Sequence, residues 1–393
     1  MMTLHQSPTD PDFVQNPYPV YAAAREQGAL HYWSDYDMPA AFDHETVHAL
    51  LRDRRFGREI PAELAEPGPV HLAPFLAVES NSLLDAEPPR HTRLRALVLR
   101  AFTSRAIGAM AQDIKGLCHG LIDAFPDQDF DVLETYCTRI PVITICRLLG
   151  VPENMSAELL NWSHAMVAMY QANRTRDTEE AAARAATEFT VFLRDYIDHR
   201  RAAPRDDLIT RLIAAEEAGE KLSTDELIGT CILLLNAGHE ATVHSLGNGI
   251  KTLLETGSGP ECLAPNRIDG TVAEILRYDP PLHMFTRYAY ETVTVHNHMF
   301  QRGDQVALLL GAANRDPAIW THPDRFDPFR PVLTNTSFGG GLHFCVGAPL
   351  ARLEMQIALP ILLQRCPLLR LAERPIYANS YHFHGLTQLI VRR

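Results

Sequence analysis

The stretch SFGGGLHFCVGAPLARLE, residues 337–354, is the most chemically specific in the chain. Three glycines precede Cys345, Gly347 follows it, and Pro349 opens a helical pattern carrying Ala351, Arg352 and Glu354. Glycines permit tight turns and close approach of the backbone to another group. Proline suits the first turn of a helix. A cysteine just before a helix start meets unpaired N–H groups and the positive end of the helix dipole, and both favour the thiolate. A thiolate on a glycine-rich loop beneath a flat cofactor is what a haem ligand requires. The competing reading is a buried structural cysteine in a turn.

Upstream, NAGHEATVHSLG (236–247) sits inside the longest helix pattern. Ser223 and Glu226 are spaced as a capping box. The apolar pattern runs from there to Gly257, a C-terminal stop, so the spacing predicts a helix of about 33 residues and about 50 Å. Such a helix crosses the molecule and buries 232–235, which makes a buried Glu240 costly unless it is paired or useful. Ala237 and Gly238 leave room for something flat beside the backbone. His239-Glu240 and His244 resemble a zinc-protease helix with the second histidine one residue too far along. At about 100° per residue, histidines five apart point about 140° apart, which argues against a zinc shared by that pair.

Other helix patterns cover 43–52, 89–102, 107–125, 178–201 and 208–217, and strand patterns cover 292–295, 305–310 and 389–391. The expected fold is mainly α with small β-sheets, without strand–helix alternation. No repeat or Gly/Ser-rich linker divides the chain, and we expect one domain over 1–393. The net charge of −12 opposes general nucleic-acid binding. No apolar run approaches the roughly 20 residues of a membrane span. Seven scattered cysteines without C-x-x-C, and a polar N-terminus, suit a cytoplasmic location.

Phe338, Gly341, His343, Cys345, Gly347 and Ala351 fit Phe-x-x-Gly-x-His-x-Cys-x-Gly-x-x-x-Ala. This resembles the haem-binding loop of the cytochrome P450 family. The resemblance continues in order along the chain. Glu274-Ile-Leu-Arg277, with Arg325 in Pro323-Asp-Arg-Phe326, looks like the family's buried Glu-Arg-Arg network. Asn314-Arg-Asp-Pro317 and Glu87-Pro-Pro-Arg-His91-Thr-Arg-Leu-Arg95 are further familiar blocks. Ala237-Gly238-His239-Glu240-Ala241-Thr242 looks like the oxygen-binding segment, usually small-Gly-x-acid-Thr-Thr. Ala241 stands where the first threonine is usual, and Thr242, about 100° further round, does not simply replace it.

The resemblance implies a P450 fold with haem b between the long central helix and the Cys-loop helix. It implies Cys345 as the axial iron ligand, and Phe338, Gly339, Gly347 and Ala237 against the cofactor. His91, Arg95, Arg287 and His343 would contact the propionates, since arginine pairs well with carboxylates. Gly238, Glu240, Ala241 and Thr242 would form the oxygen and proton site, with Glu240, water or a substrate oxygen replacing the missing hydroxyl. The implied reaction is monooxygenation of a medium-sized hydrophobic molecule by dioxygen. No flavin or iron–sulfur segment is read, so the implied donor is a separate ferredoxin with its NAD(P)H-dependent reductase, docked near Arg100 and Arg352. The substrate pocket would draw on 72–84, 165–171, 282–285 and 384–388, with Leu235, Leu282, Met284, Phe285 and Leu386 as apolar contacts. A haem sensor would keep Cys345 without needing Glu240. A peroxide-driven enzyme would tolerate loss of the threonine but would usually lose the acid too.

Overall fold

A computed structural model describes residues 1–171, 174–215, 219–381 and 383–393. Its longest element is the predicted helix, Thr224–Thr256, 33 residues long. Ser223 Oγ accepts from the Glu226 N–H at 3.1 Å and Glu226 Oε2 accepts from the Ser223 N–H at 2.9 Å, closing the capping box. Gly257 ends the helix at φ +61°, a left-handed conformation that glycine adopts without strain. Ile232, Leu235, Val243, Leu246, Ile250 and Leu253 recur at helical spacing and are all buried. This central helix packs against helices Arg139–Leu149, Ser156–Val167, Ile268–Tyr278 and Ala348–Arg365. The fold is mainly helical, as the sequence patterns predict. Leu233 and Leu234 are only half-buried, so the 232–235 segment is not enclosed on every side.

The other helix patterns appear as His44–Leu50, Arg90–Ala101, Arg176–Ala202 and Leu208–Ala214. The pattern over 107–125 breaks at Met110 into Ser104–Ala109 and Ala111–Asp123. Positions 216 and 217, at the end of the 208–217 prediction, lie outside the described residues. Several helices lie outside the predicted patterns, among them Arg139–Leu149 and Ser156–Val167. Arg139–Leu149 is buried at nine of its residues, which leaves only Arg139 and Arg147 to mark a polar side.

Among the described residues the strands form a six-stranded sheet, a three-stranded sheet and two two-stranded ribbons. The large sheet runs Met2–Leu4, Leu30–Trp33, Met38–Ala41, Gln305–Leu309, Met284–Ala289, Phe56–Gly57. Met284–Ala289 lies antiparallel to Gln305–Leu309, with Met284 opposite Leu309 and Arg287 opposite Val306. Side chains alternate along a strand, so Phe285 and Arg287 share one face and Met284 takes the other. Met284 joins the apolar cluster of Phe13, Tyr21, Trp33 and Leu309. Phe285 packs against the cluster of Val306 and Leu308.

Candidate functional site

The cysteine loop is hung from a buried ion pair. Arg277 donates Nε and Nη2 to Glu274 at 2.7 and 2.8 Å, and Nη1 to the Asn314 carbonyl at 3.0 Å. Asn314 Oδ1 accepts the Thr336 N–H at 2.8 Å, and its Nδ2 donates to Ser337 Oγ at 2.7 Å. The Cys345 N–H then donates to the Phe338 carbonyl at 3.0 Å. A continuous set of hydrogen bonds therefore joins helix Ile268–Tyr278 to the loop. The expected third member is corrected: Arg330, not Arg325, brings the second guanidinium to Glu274, at 3.3 Å. Arg325 is exposed and contributes its carbonyl, which accepts from Arg277 at 3.3 Å and Arg330 at 3.1 Å.

Two glycines in the loop are structurally required. Gly341 has φ +64°, and a Cβ there would lie 2.5 Å from the Leu51 carbonyl oxygen. Gly339 has φ +68°, and a Cβ would approach the Phe285 ring to 3.1 Å. Phe285 therefore borders the loop.

Cys345 precedes helix Ala348–Arg365 and keeps an exposed face. Burial of the sulfur pushes its pKa up, although the backbone N–H groups of Gly347 and Ala348 and the Arg95 and Arg352 guanidiniums pull it down. The N–H groups act in the expected direction, and desolvation outweighs them. The thiolate needs a further positive charge at sulfur, as a coordinating cation supplies. Arg95 donates Nη2 to the Phe344 carbonyl at 2.7 Å, and Arg352 lies over the Phe338 ring at 4.7 Å.

On the adjoining rim, His91 is buried and neither ring nitrogen has a partner among the described residues. Burial and the neighbouring His343 and Arg95 push its pKa down to about 4. The His91 and His343 rings lie 4.5 Å apart, and His343 Nε2 donates to Glu87 at 2.8 Å. Arg287 is buried, and its hydrogen bond among the described residues goes to the Thr286 carbonyl at 2.8 Å. Burial, then repulsion from Arg58, lowers its pKa to about 10. Arg58 has no motif to mark it, so sequence reasoning missed it; its Nε donates to Asp85 at 3.0 Å and its guanidinium lies 5.6 Å from the Phe285 ring.

On the central helix, Ala237 is exposed and Gly238 half-exposed, although most neighbouring turns are buried. A Cβ at Gly238 would meet only Ile145, at 3.8 Å. Glu240 retains 13% side-chain exposure and is ringed by histidines. Oε1 lies 3.1 Å from His164 Nε2 and 3.4 Å from His239 Nε2, while Oε2 lies 3.4 Å from His244 Nε2. Burial would raise the Glu240 pKa, but the three imidazoles outweigh it and hold the carboxyl far below the usual range. His239 and His244 thus take opposite oxygens, as their angular separation predicts. His164, from Ser156–Val167, had no signal in the sequence. The Thr242 hydroxyl donates to the Gly238 carbonyl at 3.2 Å, so it is already engaged within the helix.

Of the expected pocket contacts, Leu235 and Leu386 are buried in the main apolar cluster. Met284 is corrected to a core residue by the strand alternation described above. Leu282 and Phe285 keep partial exposure.

The sequence pattern of the family described as Cytochrome P450 matches residues 268–380. Cytochrome P450 monooxygenase PikC of Streptomyces venezuelae is 36% identical, over 97% of this chain and 92% of the relative. Polyketide biosynthesis cytochrome P450 PksS of Bacillus subtilis is 34% identical, over 94% and 93%. The crystal structure of P450BioI in complex with a hexadec-9Z-enoic acid ligated acyl carrier protein superposes with a TM-score of 0.91 at 33% identity, covering 97% of this chain and 99% of that one. No helix among the described residues is long and apolar enough to cross a membrane. Full-length similarity of sequence and fold, together with the cysteine loop and its supporting ion pair, makes this chain a member of the cytochrome P450 family of haem-dependent monooxygenases.

Proposed function

We propose that the chain hydroxylates, or otherwise oxidises, a medium-sized hydrophobic molecule, with Cys345 as the haem ligand. The observation that carries this is the pairing of an N–H-lined sulfur with a rim of unsatisfied donors. The residues fit the group. His91 has two unpartnered buried nitrogens, and Arg287 has donors to spare. Arg95, Arg287 and His91 suit carboxylates such as the propionates. His343, held by Glu87, braces the His91 ring. Phe338, Gly339 and Gly347 shape the loop below, and Ala237 and Gly238 leave space on the helix above. When bound, haem supplies dioxygen activation and the oxidising step, assisted by thiolate donation.

The remaining work belongs to side chains. The Gly347 and Ala348 N–H groups hold the sulfur anion. His164, whose side chain is 54% exposed and reaches solvent, holds the proton at Nε2 beside the Glu240 carboxylate, 3.1 Å away, which takes it up only in transit. With Ala241 lacking a hydroxyl and Thr242 bonded to Gly238, the last proton transfer from Glu240 runs through water or a substrate oxygen. Leu282 and Phe285 are the apolar substrate contacts we favour, with Leu235 and Leu386 behind them. We read residues 1–393 as one catalytic domain; N-terminal strand Met38–Ala41 pairs directly with Gln305–Leu309. Electrons come from a ferredoxin, reduced by an NAD(P)H-dependent reductase, docking where Arg100 and Arg352 supply positive charge. The seven cysteines, all free, suit the cytoplasm.

The test is coupled turnover of two variants. Glu240→Gln should lower it by about 100-fold or more, the usual scale for a lost proton carrier. Ala241→Thr should change it only a few-fold. Full coupled turnover in Glu240→Gln would overturn the proton route.

A further inference from the structure

Three ligand atoms converge beside the oxygen site without serving the cysteine loop: His164 Nε2, His239 Nε2 and Glu240 Oε1. Their mutual separations are 3.1, 3.4 and 3.4 Å. A tetrahedral ion bound at about 2.0–2.1 Å holds neighbouring ligand atoms about 3.3–3.4 Å apart. We propose that His164, His239 and Glu240 form a site for a divalent transition-metal ion, zinc foremost.

Four features support this beyond distance. The donor set, two imidazoles and one carboxylate, is a composition that zinc takes with a fourth position open. The His239 Nδ1–H donates to the Leu235 carbonyl at 3.1 Å, which fixes the tautomer and leaves Nε2 with its lone pair toward the cluster. His244 Nε2 lies 3.4 Å from the other carboxylate oxygen, Oε2, and orients it. The His164 side chain is 54% exposed, which gives an ion a path in.

A second group, Asp279, His283 and His384, has similar spacing but is fully buried. Its atoms are engaged: Tyr21 holds His283 Nδ1, and Tyr18 and Tyr377 donate to Asp279. All three residues are buried, and both Asp279 oxygens already accept from tyrosine hydroxyls, which leaves that carboxylate engaged.

Zinc at the first site would occupy Glu240 Oε1. Provided Glu240 carries protons as proposed above, bound zinc would slow turnover, making the site inhibitory. Metal binding itself does not depend on that role.

The test is direct binding of zinc chloride to the haem-loaded protein at neutral pH, by competition with a chromophoric chelator. Wild type should bind one zinc per chain tightly. His164→Ala, on an exposed side chain, should weaken binding at least about 10-fold, the smallest loss typical even of outer-sphere partners. His239→Gln should do the same, while His322→Ala, at an exposed histidine elsewhere, should leave it unchanged. An unaltered haem absorption spectrum shows that each variant is folded. No stoichiometric zinc in wild type, or equal binding in wild type and His164→Ala, would overturn the site. Zinc binding without slower turnover would keep the site and reject its inhibitory role.

Discussion

The support beneath the cysteine loop predicts a graded response to substitution. Glu274 is 4% exposed and accepts from Arg277 Nε and Nη2 at 2.7 and 2.8 Å, the Asp327 N–H at 2.8 Å and Arg330 Nε at 3.3 Å. Glu274→Ala leaves the buried Arg277 and the half-buried Arg330 guanidiniums without their counter-charge. Removing one partner of a buried pair costs about 3–5 kcal/mol, and the orphaned Asp327 N–H adds about 1 kcal/mol. Whole proteins hold only about 5–15 kcal/mol, so much of the stability goes. Arg330→Ala should cost about 1–3 kcal/mol, because Glu274 keeps Arg277 while losing one charged hydrogen bond. Arg325→Ala should stay within about 0.5 kcal/mol, because only its carbonyl takes part. Urea denaturation midpoints of the haem-loaded variants, read by haem absorption and circular dichroism, would order them. Equal losses in Arg325→Ala and Arg330→Ala, or less than about 1 kcal/mol for Glu274→Ala, would refute the assignment.

Further outcomes follow from charge and burial. Glu354 is buried in the Cys-loop helix, and desolvation pushes its pKa up to about 8 from 4.5. The folded chain therefore keeps a proton that the unfolded chain releases between those values, and stability falls as pH rises through that window, by at most about 1.4 kcal/mol per unit. Glu354→Gln should flatten this slope, with a larger gain at pH 7.5 than at pH 5.5; parallel urea profiles at both would contradict it. Charge reversal by Arg100→Glu and Arg352→Glu should slow reduction by ferredoxin, more at low than at high salt, without altering substrate affinity. Unchanged stopped-flow reduction rates would move the docking face elsewhere.

Local signals in the sequence carried far where spacing expressed geometry. Ser223, Glu226 and Gly257 mark both ends of the central helix because caps use particular side chains at particular offsets. The spacing of Gly341, Cys345, Gly347 and Pro349 marks a turn feeding a helix for similar reasons. What remained hidden is set by tertiary contact. His164 meets Glu240 only because two helices cross, 76 residues apart in sequence. Arg330 rather than Arg325 reaches Glu274 because the loop after Pro323 folds back, which no spacing encodes. Met284 is read as a pocket residue from its neighbours, yet strand alternation turns it away from Phe285. Arg139–Leu149 is easily missed because nine of its residues are buried and only Arg139 and Arg147 mark a polar side.

Haem–thiolate ligation through Cys345 is the central claim, and the absorption spectrum of the reduced protein with carbon monoxide tests it most directly. The expected result is a strongly red-shifted Soret band in the wild type and its loss in Cys345→Ser. An unshifted band in the wild type, or a red-shifted band that survives in Cys345→Ser, would contradict it.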